Sequence, residues 1–136
     1  MTDPNFLILY VDSPPVSAAF YTSLLGLPPV EASPTFAMFA LSSGVMLGLW
    51  SRHTVEPAAQ ASGCGGELAF AVEDAAAVNA MHDQWSERKL PIAQAPTSMD
   101  FDYTFVALDP DGHGLRVFTP ASDPMEALED VARGVA

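Results

Sequence analysis

The chain has one cysteine, Cys64, so no internal disulfide is open to it, and a lone thiol fits a reducing compartment. Cations are also scarce: five Lys and Arg stand against seventeen Asp and Glu, a net charge of -12. That balance excludes nucleic acid and anionic membrane surfaces as natural partners, because both are bound through Lys and Arg. The opening residues MTDPNFLILYV lack a basic leader, and their apolar run is far too short to span a bilayer, so the cytoplasm is the expected location. No Ser/His/Asp nucleophile setting, no Gly-rich phosphate loop before a helix and no paired metal-ligand spacing is found. The remainder is a 136-residue chain with 49% hydrophobic and 16% charged residues, the composition of one globular domain with a sizeable core.

The most informative stretch is 103–118, YTFVALDPDGHGLRVF, which reads as strand, tight turn, strand. In Asp109-Pro110-Asp111-Gly112, Pro110 presets φ, the Asp side chains bond the local backbone, and Gly112 takes the left-handed position. An earlier stretch, FAMFALSSGVMLGLW at 36–50, has the same form, with Ser42-Ser43-Gly44 at the turn. The offset is about 67 to 68 residues, the mark of one fold unit used twice.

Taken in order, 5–11 forms a short apolar strand, and Ser13 with Pro14 and Pro15 starts a helix at 15–25 that Gly26 ends. Val16, Ala19, Phe20 and Leu24 are its expected apolar face. A strand near 29–32 and the hairpin at 36–50 complete a βαβββ unit, module 1, about 5–51. Residues 52–66 are polar, small and glycine-rich, a linker between the units or a loop edging a site. Module 2, about 67–120, repeats the order: a strand at 67–72, Asp74 as N-cap, a helix at 75–88 with Val78, Met81 and Trp85 inward, and strands at 91–96, 103–108 and 114–119. Asp123-Pro124 opens a short C-terminal helix, about 123–134.

Two tandem βαβββ units resemble the vicinal oxygen chelate superfamily, which includes glyoxalase I, bleomycin resistance proteins and extradiol dioxygenases. The resemblance rests on Val11, Phe20-Tyr21, Leu25-Gly26-Leu27, Ala69 to Asp74, Asp109-Pro110-Asp111-Gly112 and Leu115 to Phe118, and it covers roughly 5–120. It implies an α+β fold in which the two modules form a curled mixed sheet with a concave cavity and outer helices. Strand alternation then assigns faces. Leu7, Leu9 and Val11, like Leu68, Phe70 and Val72, pack under a helix. Phe6, Ile8 and Tyr10, like Glu67, Ala69 and Ala71, face the concave side, as do Met46, Gly48, Trp50, Gly114, Arg116 and Phe118.

Metal-dependent members of that superfamily place His, Gln or Glu ligands at four concave positions, which here hold Phe6, Gly48, Glu67 and Arg116. Only Glu67 offers a donor, and Arg116 puts a fixed cation where a metal would sit, so no metal and no cofactor are expected. Glu67 and Arg116 either pair with each other or offer a ligand an acceptor and a donor. Trp50 is the leading ligand-binding candidate, a flat surface for stacking, with core packing as the alternative. Phe6, Tyr10, Met38, Met46, Gly48 and Phe118 would line the same wall.

His53, near the proposed mouth, is a possible hydrogen-bonding partner for a ligand. His82 is expected on the outer side of its helix, and His113 in a solvated turn. Cys64 is an ordinary loop thiol, and Asp100 and Asp102 are loop acids that either line the groove or face solvent.

The segment Phe39 to Arg52 and the ending around Asp109 to Val117 resemble the antibiotic-binding branch, phenazine-resistance proteins among them. The resemblance implies a homodimer that sequesters a small planar aromatic ligand without changing it. A metal-dependent lyase or dioxygenase with non-standard ligands is the alternative function. A third possibility is an orphan domain whose cup is filled by its own side chains.

Overall fold

Both sheets are built by the same wiring. A computed structural model describes residues 3–61, 65–100 and 102–120, which fall into two compact units, Met1–Gly63 and Cys64–Ala136. In the first unit the order is β1 (Phe6–Val11), α1 (Pro14–Leu25), β2 (Glu31–Ala32), β3 (Phe36–Ala40) and β4 (Met46–Ser51). In the second it is β5 (Glu67–Ala71), α2 (Ala75–Glu87), β6 (Ile92–Ser98), β7 (Asp102–Leu108) and β8 (Gly114–Pro120). The sheet orders are β1-β4-β3-β2 and β5-β8-β7-β6, each with a parallel pair and antiparallel hairpins. The two βαβββ modules and the α+β class expected from the sequence are present. The expected C-terminal helix, about 123–134, lies outside the described residues, as does Cys64.

Local chemistry explains the boundaries. Ser13 caps α1 by accepting from the Val16 amide at 3.3 Å, and Asp74 caps α2 by accepting from Ala77 at 2.8 Å. Pro14 and Pro15 occupy the first turn of α1, where a missing N–H costs nothing. Gly26 ends that helix at φ 72°. The two hairpins close identically: the amide of Gly44 donates to Leu41 O and that of Gly112 to Asp109 O, both at 3.0 Å. Both glycines have positive φ, 93° and 84°, which a side chain would disfavour.

One face of each sheet packs under its helix. In module 1 this core is Val11, Ala37, Phe39, Leu47 and Leu49, all at most 1% exposed, with Tyr21 of α1. The helix face differs from the one expected. The buried stripe is Pro14, Ser17, Ala18 and Tyr21, whereas Val16 is 59% exposed and Ala19 is exposed. Apolar residues surround most of this helix, so periodicity does not select a side, and the small Ser17 and Ala18 let the helix lie close to the sheet. Leu7, expected under the helix, is 40% exposed near the start of edge strand β1.

In module 2 the expected inward residues hold: Val78 and Trp85 are buried and Met81 half-buried. Trp85 meets Phe70 and Phe105 edge-to-face, with centroids 5.7 and 5.4 Å apart. Each such pair contributes about 0.5–1.5 kcal/mol beyond its buried area. His82 is not on the outer side. Its ring stands edge-on to the buried Phe105, with centroids 5.3 Å apart.

Candidate functional site

The opposite face of each sheet carries the candidate residues. In module 1, β1 and β4 run in parallel with Phe6 beside Met46, Ile8 beside Gly48 and Tyr10 beside Trp50. Strand β3 adds Phe36 beside Trp50 and Met38 beside Gly48. A Cβ built on Gly48 would lie 2.9 Å from Phe6 Cε1 and 3.1 Å from Phe36 Cζ, so both rings lean over the bare backbone there. The missing side chain gives the two phenyl rings room. Trp50 is half-buried and meets Phe36 edge-to-face at 6.3 Å. Phe6, Ile8 and Tyr10 are 42%, 42% and 40% exposed. This is an aromatic and methionine surface with no charged side chain among the residues just named. Phe36 was missed in the sequence reading, although the alternation that selected Met38 also selects its neighbour two residues earlier.

Module 2 presents a polar version of the same face. Glu67 and Arg116 pair, with Arg116 Nε donating to Glu67 Oε1 at 2.5 Å. Arg116 Nη1 also donates to Thr104 Oγ1 at 3.1 Å, and Thr104, wholly buried, donates onward to the Val117 carbonyl at 2.9 Å. The pair is open to water, with side chains 26% and 39% exposed. It borders an open groove of about 640 Å³ whose lining includes Gln94, Thr97, Ser98, Asp100 and Asp102. Two register shifts in β6 flank Gln94, and such bulges re-aim side chains at the rim of a sheet. Asp100 and Asp102 are thus groove residues. Phe118 is half-buried on β8 beside Ala71.

The remaining histidines have structural partners. His53 Nε2 lies 2.8 Å from Asp12 Oδ1, which also accepts from Arg52 Nη2 at 3.2 Å. These bonds, first that with His53 and then that with Arg52, lower the pKa of Asp12. They tie the chain after β4 to the end of β1. His113 is not solvated. It is 7% exposed, its Nδ1 lies 2.8 Å from Asp109 Oδ2, and the Asp109 carboxylate also accepts the amides of Asp111 and His113. The Asp109 hydrogen bond raises the pKa of His113, against an opposing effect of burial. The aspartate that starts the turn recruits the histidine that ends it, so both serve the hairpin.

Two modules of this topology, each with an open face opposite its helix, define a class. Residues 4–117 match the Glyoxalase/Bleomycin resistance protein/Dioxygenase superfamily, and the chain belongs to it. The phenazine antibiotic resistance protein EhpR of Enterobacter agglomerans is 27% identical over 117 residues, covering 84% of this chain and 89% of that protein. The solution structure of protein ATC0852 from Agrobacterium tumefaciens is 54% identical, with a TM-score of 0.80, covering 90% of this chain and all (100%) of that one. A lactoylglutathione lyase from the same organism superposes with a TM-score of 0.71 at 21% identity, over 88% and 94% of the two chains, and shares the fold.

The residues at the four positions that the resemblance assigns to a metal set do not have the chemistry to form one. Phe6 and Gly48 bring no donor, and Phe6 and Phe36 crowd the space beside Gly48. Glu67 is already bound by the guanidinium of Arg116, a fixed cation. Among the described residues, no group of three or more His, Cys, Asp or Glu is placed to hold a metal ion. Nor, among them, is any helix long and apolar enough to cross a membrane.

Proposed function

We propose that this protein binds and sequesters a planar, largely apolar small molecule without changing it and without a metal ion, in the manner of an antibiotic-resistance binding protein. One observation carries the reading. The face around Gly48 exposes Phe6 and Tyr10 beside a half-buried Trp50, a set of aromatic side chains on one strand face that a planar ring can meet. Flat aromatic ligands stack on such a surface, and Met38 and Met46 add polarizable, adaptable wall. Similarity to a protein named for phenazine resistance makes phenazines the first ligand class to try. His53, just after β4, and Glu67, Arg116 and Phe118 of module 2 are retained as proposed ligand contacts. A homodimer in the cytoplasm is proposed with this reading: edge strand β1 leaves Leu7 and Ile8 exposed, and another chain would cover them.

The test is a titration of metal-stripped protein with phenazine, followed by tryptophan fluorescence and confirmed by calorimetry. Trp85, buried in the helix-side core, remains as reporter when Trp50 is replaced by Ala. Saturable binding that weakens in Trp50→Ala and ignores added Zn²⁺ or Mn²⁺ supports sequestration. Binding or turnover that appears only with restored metal would transfer the assignment to the enzymes of the superfamily.

A further inference from the structure

The Thr104–Arg116–Glu67 chain of hydrogen bonds is more ordered than an ion pair requires. Thr104 has one hydroxyl proton, and it goes to the Val117 carbonyl. Its oxygen is therefore left as an acceptor, and Arg116 Nη1 fills it. With Nε held by Glu67, the guanidinium is fixed at two of its five N–H groups. Arg116 is 26% exposed and lines the groove, so the donors not engaged in these two bonds include the Nη2 edge.

Charge then decides what those donors can take. Glu67 already neutralises Arg116, and the groove lining adds Asp100 and Asp102 in a chain of net charge -12. A free carboxylate arriving there meets uncompensated negative charge. A neutral amide meets a donor for its carbonyl in Arg116, and acceptors for its N–H₂ in the aspartates, Ser98 and Thr97.

We infer that the groove of module 2 selects ligands bearing an uncharged amide-like head group over the corresponding acid, with Arg116 as the donor and Thr104 as the residue that positions it. This rests on the reading that the protein binds a planar small molecule.

The experiment compares three probes by calorimetry at pH 7: phenazine, phenazine-1-carboxamide and phenazine-1-carboxylate. Wild type should bind the carboxamide about tenfold tighter than phenazine, the effect of one good hydrogen bond to a charged group, and the carboxylate more weakly than the carboxamide. Thr104→Val should collapse the carboxamide-to-phenazine ratio toward one, Thr104→Ser should retain it, and Arg116→Lys should lose it. Circular dichroism checks that each variant folds. If Thr104→Val does not, the Ser and Lys variants decide. Equal binding of the three probes, or a ratio that survives Arg116→Lys, overturns this inference and leaves the sequestration reading intact. Failure of every probe to bind overturns both.

Discussion

The two modules share topology, turn geometry and the register of their parallel pair and hairpin, yet their open faces have opposite chemistry. Phe6 beside Met46 in module 1 becomes Glu67 beside Gly114 in module 2, and Gly48 becomes Arg116. The helix-side faces stay apolar in both: Leu47 and Leu49 in one, Leu115 and Val117 in the other, all at most 1% exposed. The difference teaches which positions folding constrains. Each module's core lies between its helix and one face of its sheet, so that face must stay apolar. The other face is not needed for that core and is free to become aromatic in one copy and polar in the next. Function in a duplicated fold should then be sought where the copies disagree.

The largest effect that tests this contrast is on the helix side. Trp85→Ala removes the ring between Phe70 and Phe105 and should cost about 3–5 kcal/mol of stability, measured by urea unfolding. Trp50→Ala, on the open face, should cost far less stability but weaken binding of a planar aromatic about ten- to a hundredfold, measured by calorimetry. Should the two substitutions destabilise equally, the division into a folding face and a ligand face is wrong.

A finer test uses the glycine. Gly48→Ala places a methyl against the Phe6 and Phe36 rings and should cost about 1 kcal/mol in unfolding free energy. Because Phe6 is 42% exposed, its ring has room to swing aside, so the protein should still fold with an altered aromatic surface. Unchanged stability together with unchanged ligand affinity would show that the close approach at Gly48 has no role in the site.

The smallest effect is electrostatic. The Asp109 bond raises the folded pKa of His113 above its ordinary 6.5. The stabilisation is therefore fully present below that ordinary value and is lost as pH rises through the raised folded one. Urea midpoints measured across that window should fall with rising pH in wild type and flatten in His113→Gln. A wild-type midpoint that climbs over the same range would contradict the hydrogen-bonded assignment. Module 1 has Val45 at the matching end of its turn and should show no such response from its own hairpin.

Legibility differed by element for physical reasons. Helix ends were readable because Ser13, Asp74, Pro14, Pro15 and Gly26 act on backbone groups a few residues away. Strand faces were readable because alternation has a fixed period and the repeat supplied each strand with a second copy. The face of α1 was not readable, since apolar residues stand on most sides of it and only the sheet beneath selects Ser17, Ala18 and Tyr21. His82 and His113 were misjudged for a related reason: each is paired with a group, Phe105 or Asp109, whose proximity depends on packing or on turn closure.

By itself, then, the sequence determined the two βαβββ modules, their caps and turns, and which strand residues share a face, because these follow from interactions along the chain and from strict periodicity. Only the tertiary structure decided that Glu67 and Arg116 bind each other, that buried Thr104 completes their network, and that Asp100 and Asp102 line the same groove. Those residues come from β5, β7, β8 and the turn between β6 and β7, and no local signal fixes the distances between side chains brought together by packing.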